Sequence, residues 1–278
     1  MKKAKVLLFG FGRMGKIHQK YLEELSVDYS VVDPLINVVD EKFKNDFDLH
    51  QLGGFTHVII STPDETHFEI YKNIRSVNEE IKILIEKPAV LDIKHLNELS
   101  SDLNLSVGLV ERFNNTIIEL KQILGHDKTH YIEFKRCSLI SDSNQTVSSF
   151  RDVGIHDLDL FDYLIGIEDK DIFTINSVSN TYFANLTKQN NITASFLWSN
   201  EFYKKERSIL VVQENRTLYV DLLNYKISIF SKNDKEKYQE VIVESQSSIK
   251  SELENFLHNK NYILGMQAHK LLINNLNQ

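Results

Sequence analysis

At 278 residues the chain is long enough for two ordinary domains, and its 42% hydrophobic and 26% charged residues are those of a globular protein. A single cysteine, Cys137, excludes an intrachain disulfide framework and a cysteine-built zinc site. The 32 Lys and Arg against 39 Asp and Glu leave a net charge of −7, which argues against nucleic acid as the main partner. No apolar run approaches the roughly 18 residues of a membrane span.

The basic start Met1–Lys5 followed by Val6–Phe9 has the outline of a signal peptide. Gly10, Gly12, Arg13 and Gly15 break the apolar run at once, so we read a first strand over Lys5–Phe9 and expect a cytoplasmic protein. Met14, Ile17, Tyr21, Leu22 and Leu25 have helical spacing, and Val27–Val32 is a second strand. The stretch from Pro34 to His57 has room for little more than one element. Thr56–Ser61 is the next strand, then a helix over Glu65–Val77, a strand over Ile81–Ile85, a helix over Asp92–Asp102 and a strand over Leu105–Val110. Apolar strands separated by helices predict a parallel sheet covered on both faces, a doubly wound Rossmann-type domain.

Beyond that the rhythm changes. Helices are expected near Asn115–Leu124 and over Asp152–Ile165, with strands at His130–Cys137, Ile172–Phe183, Ile192–Trp198, Arg207–Val212, Arg216–Asp221, Lys226–Phe230 and Tyr238–Val243. Hairpin-length linkers predict an α+β domain with a large, mainly antiparallel sheet. Ser251–Leu257 and Met266–Leu276 read as terminal helices. The expected division is 1–112 and 113–278, with the terminal segment 251–278 able to return to the first domain.

Gly10-Phe11-Gly12-Arg13-Met14-Gly15 follows a strand and opens a helix. In that context the glycines allow a tight turn and close approach of a pyrophosphate to the free N–H groups of a helix N-terminus. Asp33 ends the second strand, where a carboxylate holds ribose hydroxyls. A carboxylate repels a 2′-phosphate, and Pro34, Leu35, Ile36 and Asn37 offer no cation to neutralise one, so NAD is favoured over NADP. Glu86-Lys87-Pro88 ends another parallel strand, where open α/β sheets bind ligands, and Pro88 constrains the turn that aims Lys87. Asp152 and His156 stand four apart on a predicted helix, a carboxylate beside an imidazole that suits a general base. Asp157, Asp159 and Asp162 do not share a helical face with His156. They read as a solvated face, and no metal is expected.

The ordered set Gly10–His18, Ser61-Thr62-Pro63-Asp64-Glu65-Thr66-His67, Glu86-Lys87-Pro88, Arg112-Phe113-Asn114 and Asp152–Asp157 resembles the glucose–fructose oxidoreductase / inositol dehydrogenase / MocA (Gfo/Idh/MocA) family. The resemblance runs from Lys5 to about Leu164 and resumes weakly over Glu252–Leu272. It implies NAD(P)-dependent oxidation or reduction of a secondary alcohol on a sugar, nucleotide sugar or cyclitol. It also implies a homo-oligomer, dimer or tetramer, joined through the C-terminal sheet. Lys87 matches the lysine that contacts the reacting hydroxyl, His156 the acid/base histidine and Asp152 the aspartate before it. Ser61, Thr62, Pro63 and His67 match the segment running past the nicotinamide side, and Glu86 is a further candidate for cofactor binding. Glu111 stands where an aromatic or His is expected. Two alternatives share these residues or part of them: an NAD-assisted elimination such as glycoside cleavage, with no net redox change, and a non-enzymatic NAD-binding sensor.

Overall fold

The computed structural model describes residues 3–36, 41–125, 127–139, 148–232, 238–258 and 262–276. The chain forms two compact units, 1–110 with 249–269 and 111–248 with 270–278.

The first unit is built on a six-stranded, wholly parallel sheet. Its strands are β1 (Lys5–Phe9), β2 (Asp28–Val32), β3 (Phe43–Lys44), β4 (His57–Ile60), β5 (Lys82–Ile85) and β6 (Leu105–Val107), in the order β3-β2-β1-β4-β5-β6. Helices α1 (Arg13–Glu24), α2 (His67–Val77) and α3 (Ile93–Leu99) make the crossovers. All four residues of β4 are buried, as expected of a strand with helices on both faces. The strand order reverses between β1 and β4, which makes the carboxyl ends of those strands the ligand-binding crevice of such a fold. Val6, Leu8, Tyr29, Val31, Ile59 and Leu84 pack with Leu22 of α1 and with Leu253 and Phe256 of the late helix at Ser248–Leu257. At about 25 cal/mol per Å² of buried apolar surface, such side chains contribute roughly 1.5–3 kcal/mol each.

The sequence led us to expect one element between Pro34 and His57. The structure places two short ones there, the two-residue edge strand β3 and a 3-10 turn at Leu49–Gly54. Asp48 caps that turn by accepting the His50 N–H, and no α-helix follows β2 among the described residues of this stretch. Asn37 lies outside the described residues.

The second unit carries an eight-stranded sheet. Helix α4 (Asn115–Leu124) precedes β7 (Thr129–Leu139). A π-helical turn at Phe150–Gly154 runs into α5 (Ile155–Leu164). Then come β8 (Ile172–Val178), β9 (Thr181–Thr187), β10 (Thr193–Ser199), β11 (Glu201–Gln213), β12 (Arg216–Asp221), β13 (Lys226–Ser231) and β14 (Tyr238–Ile242). The order is β14-β13-β12-β11-β7-β10-β9-β8, antiparallel throughout except for the β7–β10 pair. The single strand expected over Ile172–Phe183 is in fact the β8–β9 hairpin. It turns at Ser179, whose positive φ of 54° reverses the chain. On β7 the residues Ile132, Phe134 and Arg136 face the covered side, and Phe134 stacks on Phe196 at 5.2 Å and meets Phe161 of α5 edge-on. Phe183, Tyr219 and Phe230 lie on the opposite, exposed side.

Candidate active site

The glycine turn is fixed by what a side chain would strike. Gly10 sits at φ +89°, and a Cβ there would come within 2.6 Å of the Ser61 carbonyl oxygen. A Cβ on Gly15 would come within 2.1 Å of the Gly10 oxygen. These two glycines let α1 start hard against the ends of β1 and β4, and the Ser61 hydroxyl donates to the Phe9 and Gly10 carbonyls across that contact. Gly12 is different. A Cβ there meets nothing within 4 Å, and as N-cap it offers no side chain to the first amides of α1. The first turn holds no acidic residue. Open space before an uncapped helix N-terminus suits a pyrophosphate. Phe11, Arg13 and Met14 complete this turn, with Arg13 exposed.

Asp33 stands at the end of β2 beside the turn. Its Oδ2 accepts the Phe11 N–H at 2.7 Å and its Oδ1 the Leu35 N–H at 2.8 Å. A carboxylate has about four lone-pair sites, so the two amides fix its orientation and leave acceptor capacity for two hydroxyls. The residues present therefore fit a dinucleotide.

Past β4, Thr62 and Pro63 lead into α2. His67 is fully buried, and its ring nitrogens lie 2.9 Å from the Thr62 carbonyl and 3.0 Å from the Pro88 carbonyl. It ties the loop after β4 to the loop after β5. The Lys87–Pro88 peptide bond is cis, and Lys87 is half-buried. Glu86 was expected along the cofactor. The structure places it inward, 7% exposed, with Oε1 2.7 Å from His18 Nε2 and Oε2 accepting the Lys87 N–H. Burial pushes its carboxyl up, but His18 and Lys87 outweigh this and hold it below its ordinary value of 4.5. Gly108, at the end of β6, leaves room for the same carboxylate. His18 is the residue whose role the sequence did not reveal. Its signal was helical phase, since Gly15, His18 and Leu22 form the buried face of α1.

Gly10–Gly15, Asp33, Ser61–Pro63, His67, Glu86 and Lys87 are thus gathered at the carboxyl ends of β1, β2, β4 and β5. Asp152 and His156 belong to the second unit, on the π-helical turn and the first turn of α5. The helix expected over Asp152–Ile165 starts wider than an α-helix, so the two residues are not at ordinary α-helical spacing. The solvated acidic face is also corrected. Asp157 and Asp159 are 2% and 1% exposed and are held by arginines. Asp157 Oδ1 accepts from Arg136 Nε and Nη2, and Asp159 takes a two-pronged bond from Arg112 at 2.6 and 2.8 Å. Glu111 finds its reason in the same place, accepting from Arg136 Nη1 at 2.8 Å. Among the described residues no group of His, Cys, Asp and Glu has the arrangement of a metal site.

No protein-family model matches the chain. The chain is 24% identical over 246 residues to the UDP-N-acetylglucosamine 3-dehydrogenase of Acidithiobacillus ferrooxidans, covering 80% of this chain and 75% of that protein. The crystal structure of that dehydrogenase superposes with a TM-score of 0.85 at 20% identity, over 99% of this chain and 97% of the other. An oxidoreductase from Agrobacterium radiobacter in complex with NAD+, L-tartaric acid and magnesium matches at TM-score 0.82 and 15% identity, over 98% and 94%. A putative NADPH-dependent oxidoreductase from Desulfitobacterium hafniense matches at 0.81 and 13%, over 98% and 94%. The chain has the fold of these dehydrogenases and oxidoreductases along its whole length. Its ordered motifs resemble those of the glucose–fructose oxidoreductase / inositol dehydrogenase / MocA family, and its fold is the one these structures share.

Proposed function

We propose that the protein is an NAD-dependent dehydrogenase that oxidises or reduces a secondary alcohol on a sugar, most naturally a nucleotide sugar. The observation that carries this is the glycine turn, open at Gly12 and flanked by the fixed carboxylate of Asp33. The similarity to a UDP-N-acetylglucosamine 3-dehydrogenase supports the substrate class. NAD when bound supplies the hydride acceptor. Oxidation of the alcohol also releases a proton and builds negative charge on the oxygen. In this reading Lys87 stabilises that charge, His156 takes the proton and Asp152 supports the imidazole. Ser61, Thr62, Pro63 and His67 shape the nicotinamide side, with Glu86 and His18 holding the Lys87 loop from behind. Exposed Phe183, Tyr219 and Phe230 on one face of the second unit's sheet support a homo-oligomer joined there.

Asp33→Ala is expected to weaken NAD roughly 10- to 100-fold, the worth of hydrogen bonds to a charged group, and to narrow the preference over NADP. An unchanged preference by calorimetry would remove the ribose role from Asp33. The activity test is incubation with NAD and a panel of sugars and nucleotide sugars, UDP-N-acetylglucosamine among them. Net formation of reduced nicotinamide with a ketone product is expected. Aglycone release without net reduced nicotinamide would move the protein to elimination chemistry.

A further inference from the structure

Two strands and a helix of the second unit converge on one buried carboxylate. Arg136 of β7 and Trp198 of β10 are direct register partners in the parallel pair at the middle of the sheet. They project to the same covered face, where Arg136 is 4% and Trp198 0% exposed. Both donate to Asp157. Arg136 reaches Oδ1 through Nε and Nη2 at 3.0 and 2.8 Å, and the Trp198 indole N–H reaches Oδ2 at 2.9 Å. Arg136 is itself held from behind by Glu111.

The same indole supports the π-helical turn. Its ring lies 5.4 Å from that of Phe150, and a Cβ on Gly154 would meet Phe150 at 2.8 Å and Trp198 at 3.4 Å. Ser149, next to the turn, is fully buried; its hydroxyl donates to the Asn180 carbonyl at 2.9 Å and lies 3.4 Å from the Trp198 carbonyl. A π-helical turn is rare and must be held by its surroundings. Here its floor is Trp198, and its exit into α5 is pinned at Asp157 by Trp198 and Arg136 together. The turn carries Asp152, and His156 immediately precedes the pinned aspartate.

We propose that Arg136, Trp198 and Asp157 form a clamp that holds the π-helical turn and so aims Asp152 and His156, which makes all three positioning residues for the reaction. The inference rests on the roles given above to Asp152 and His156. A hydrogen-bonded, buried scaffold beneath a proton-transferring pair has a physical purpose, since an error of about 1 Å in aim costs on the order of 100-fold in rate. The two donors bind oxygens of one carboxylate at an angle set by strand register, so neither α5 nor the turn can rotate without breaking a charge-assisted bond in a buried place.

The test uses the fact that Trp198 is the chain's single tryptophan. Biosynthetic replacement of that residue by β-(3-benzothienyl)alanine removes the N–H and keeps the ring shape. Trp198→Phe removes both the donor and part of the floor, and serves if the replacement is not incorporated. Amide hydrogen exchange is followed over the full chain, with thermal unfolding and NAD affinity alongside. The expected result is exchange faster by roughly 10-fold or more at residues 150–156 only, the scale of one lost bond to a buried charge. NAD affinity and the exchange of the first unit stay unchanged. Turnover of UDP-N-acetylglucosamine, or of whichever sugar the panel identifies, should drop in kcat with KM for NAD unaltered. Unchanged exchange at 150–156 overturns the clamp whatever the substrate is. Faster exchange there with full kcat overturns the positioning role. Failure of the roles given to Asp152 and His156 would show separately, as a His156→Gln variant with full turnover, and failure of the dehydrogenase reading as no net reduced nicotinamide from the unaltered protein.

Discussion

Lys87→Ala is expected to lower turnover by roughly 100- to 1,000-fold, the usual cost of deleting one group that meets developing negative charge on an oxygen. NAD affinity should stay within a few-fold of the unaltered protein. The reason lies in where the neighbours of Lys87 are tied. Glu86 is held by His18, and the Pro88 carbonyl by His67, so the loop keeps its course when the ammonium is removed. The glycine turn is fixed by contacts among Gly10, Gly15 and Ser61 that do not involve Lys87. Steady-state kinetics paired with calorimetry checks this. Loss of NAD binding in the variant would make Lys87 a cofactor or structural residue instead.

Arg136→Ala is the largest expected loss of stability. It leaves the buried Asp157 carboxylate without the cation that holds it and Glu111 with only the more distant Arg207, and breaking a buried pair from one side costs about 3–5 kcal/mol. The pH dependence has a definite sign. Burial pushes the Glu111 carboxyl up, but Arg136 and Arg207 outweigh this and hold it below its ordinary 4.5. A depressed carboxyl stabilises the native protein above its ordinary value, and that contribution fades as pH falls through the native one. Without Arg136 only Arg207, 3.8 Å from the Glu111 carboxylate, opposes the effect of burial, so the depression is smaller. The gap between Arg136→Ala and the unaltered protein should therefore be widest near neutral pH and narrow as the pH falls through 4.5 and below. Urea unfolding at a series of pH values measures it. A gap that widens on acidification would mean that Glu111 and Asp157 are not what Arg136 neutralises.

The parallel sheet was legible because each of its strands is apolar throughout and each crossover has helical phase. The glycine turn and Asp33 were legible because their spacing is set by backbone geometry that no distant residue alters. The stretch after Asp33 was harder. Phe43-Lys44 is too short a strand to show periodicity, and it forms because its backbone adds to the edge of β2. The β8–β9 hairpin was hidden by Ser179 and Asn180, a turn without glycine or proline. The acidic residues of α5 were misjudged for a physical reason. Charge in sequence reads as exposure, yet Asp157 and Asp159 are buried because Arg136 and Arg112 come from elements 21 and 47 residues away. The signal that could have found Arg136 is strand alternation, which puts it on the same side as Ile132 and Phe134. A cation on the inward phase of a central strand needs buried acids nearby, and Glu111 and Asp157 supply them. His18 is the same lesson on a helix.

In the proposed reading the open turn at Gly12 receives the pyrophosphate of NAD. Calorimetric titration of the purified protein with NAD and with NADP tests it most directly. Stoichiometric binding of NAD, weaker binding of NADP and loss of both when Gly12 is replaced by a bulky residue such as Leu are expected. A protein that binds neither nucleotide would contradict it.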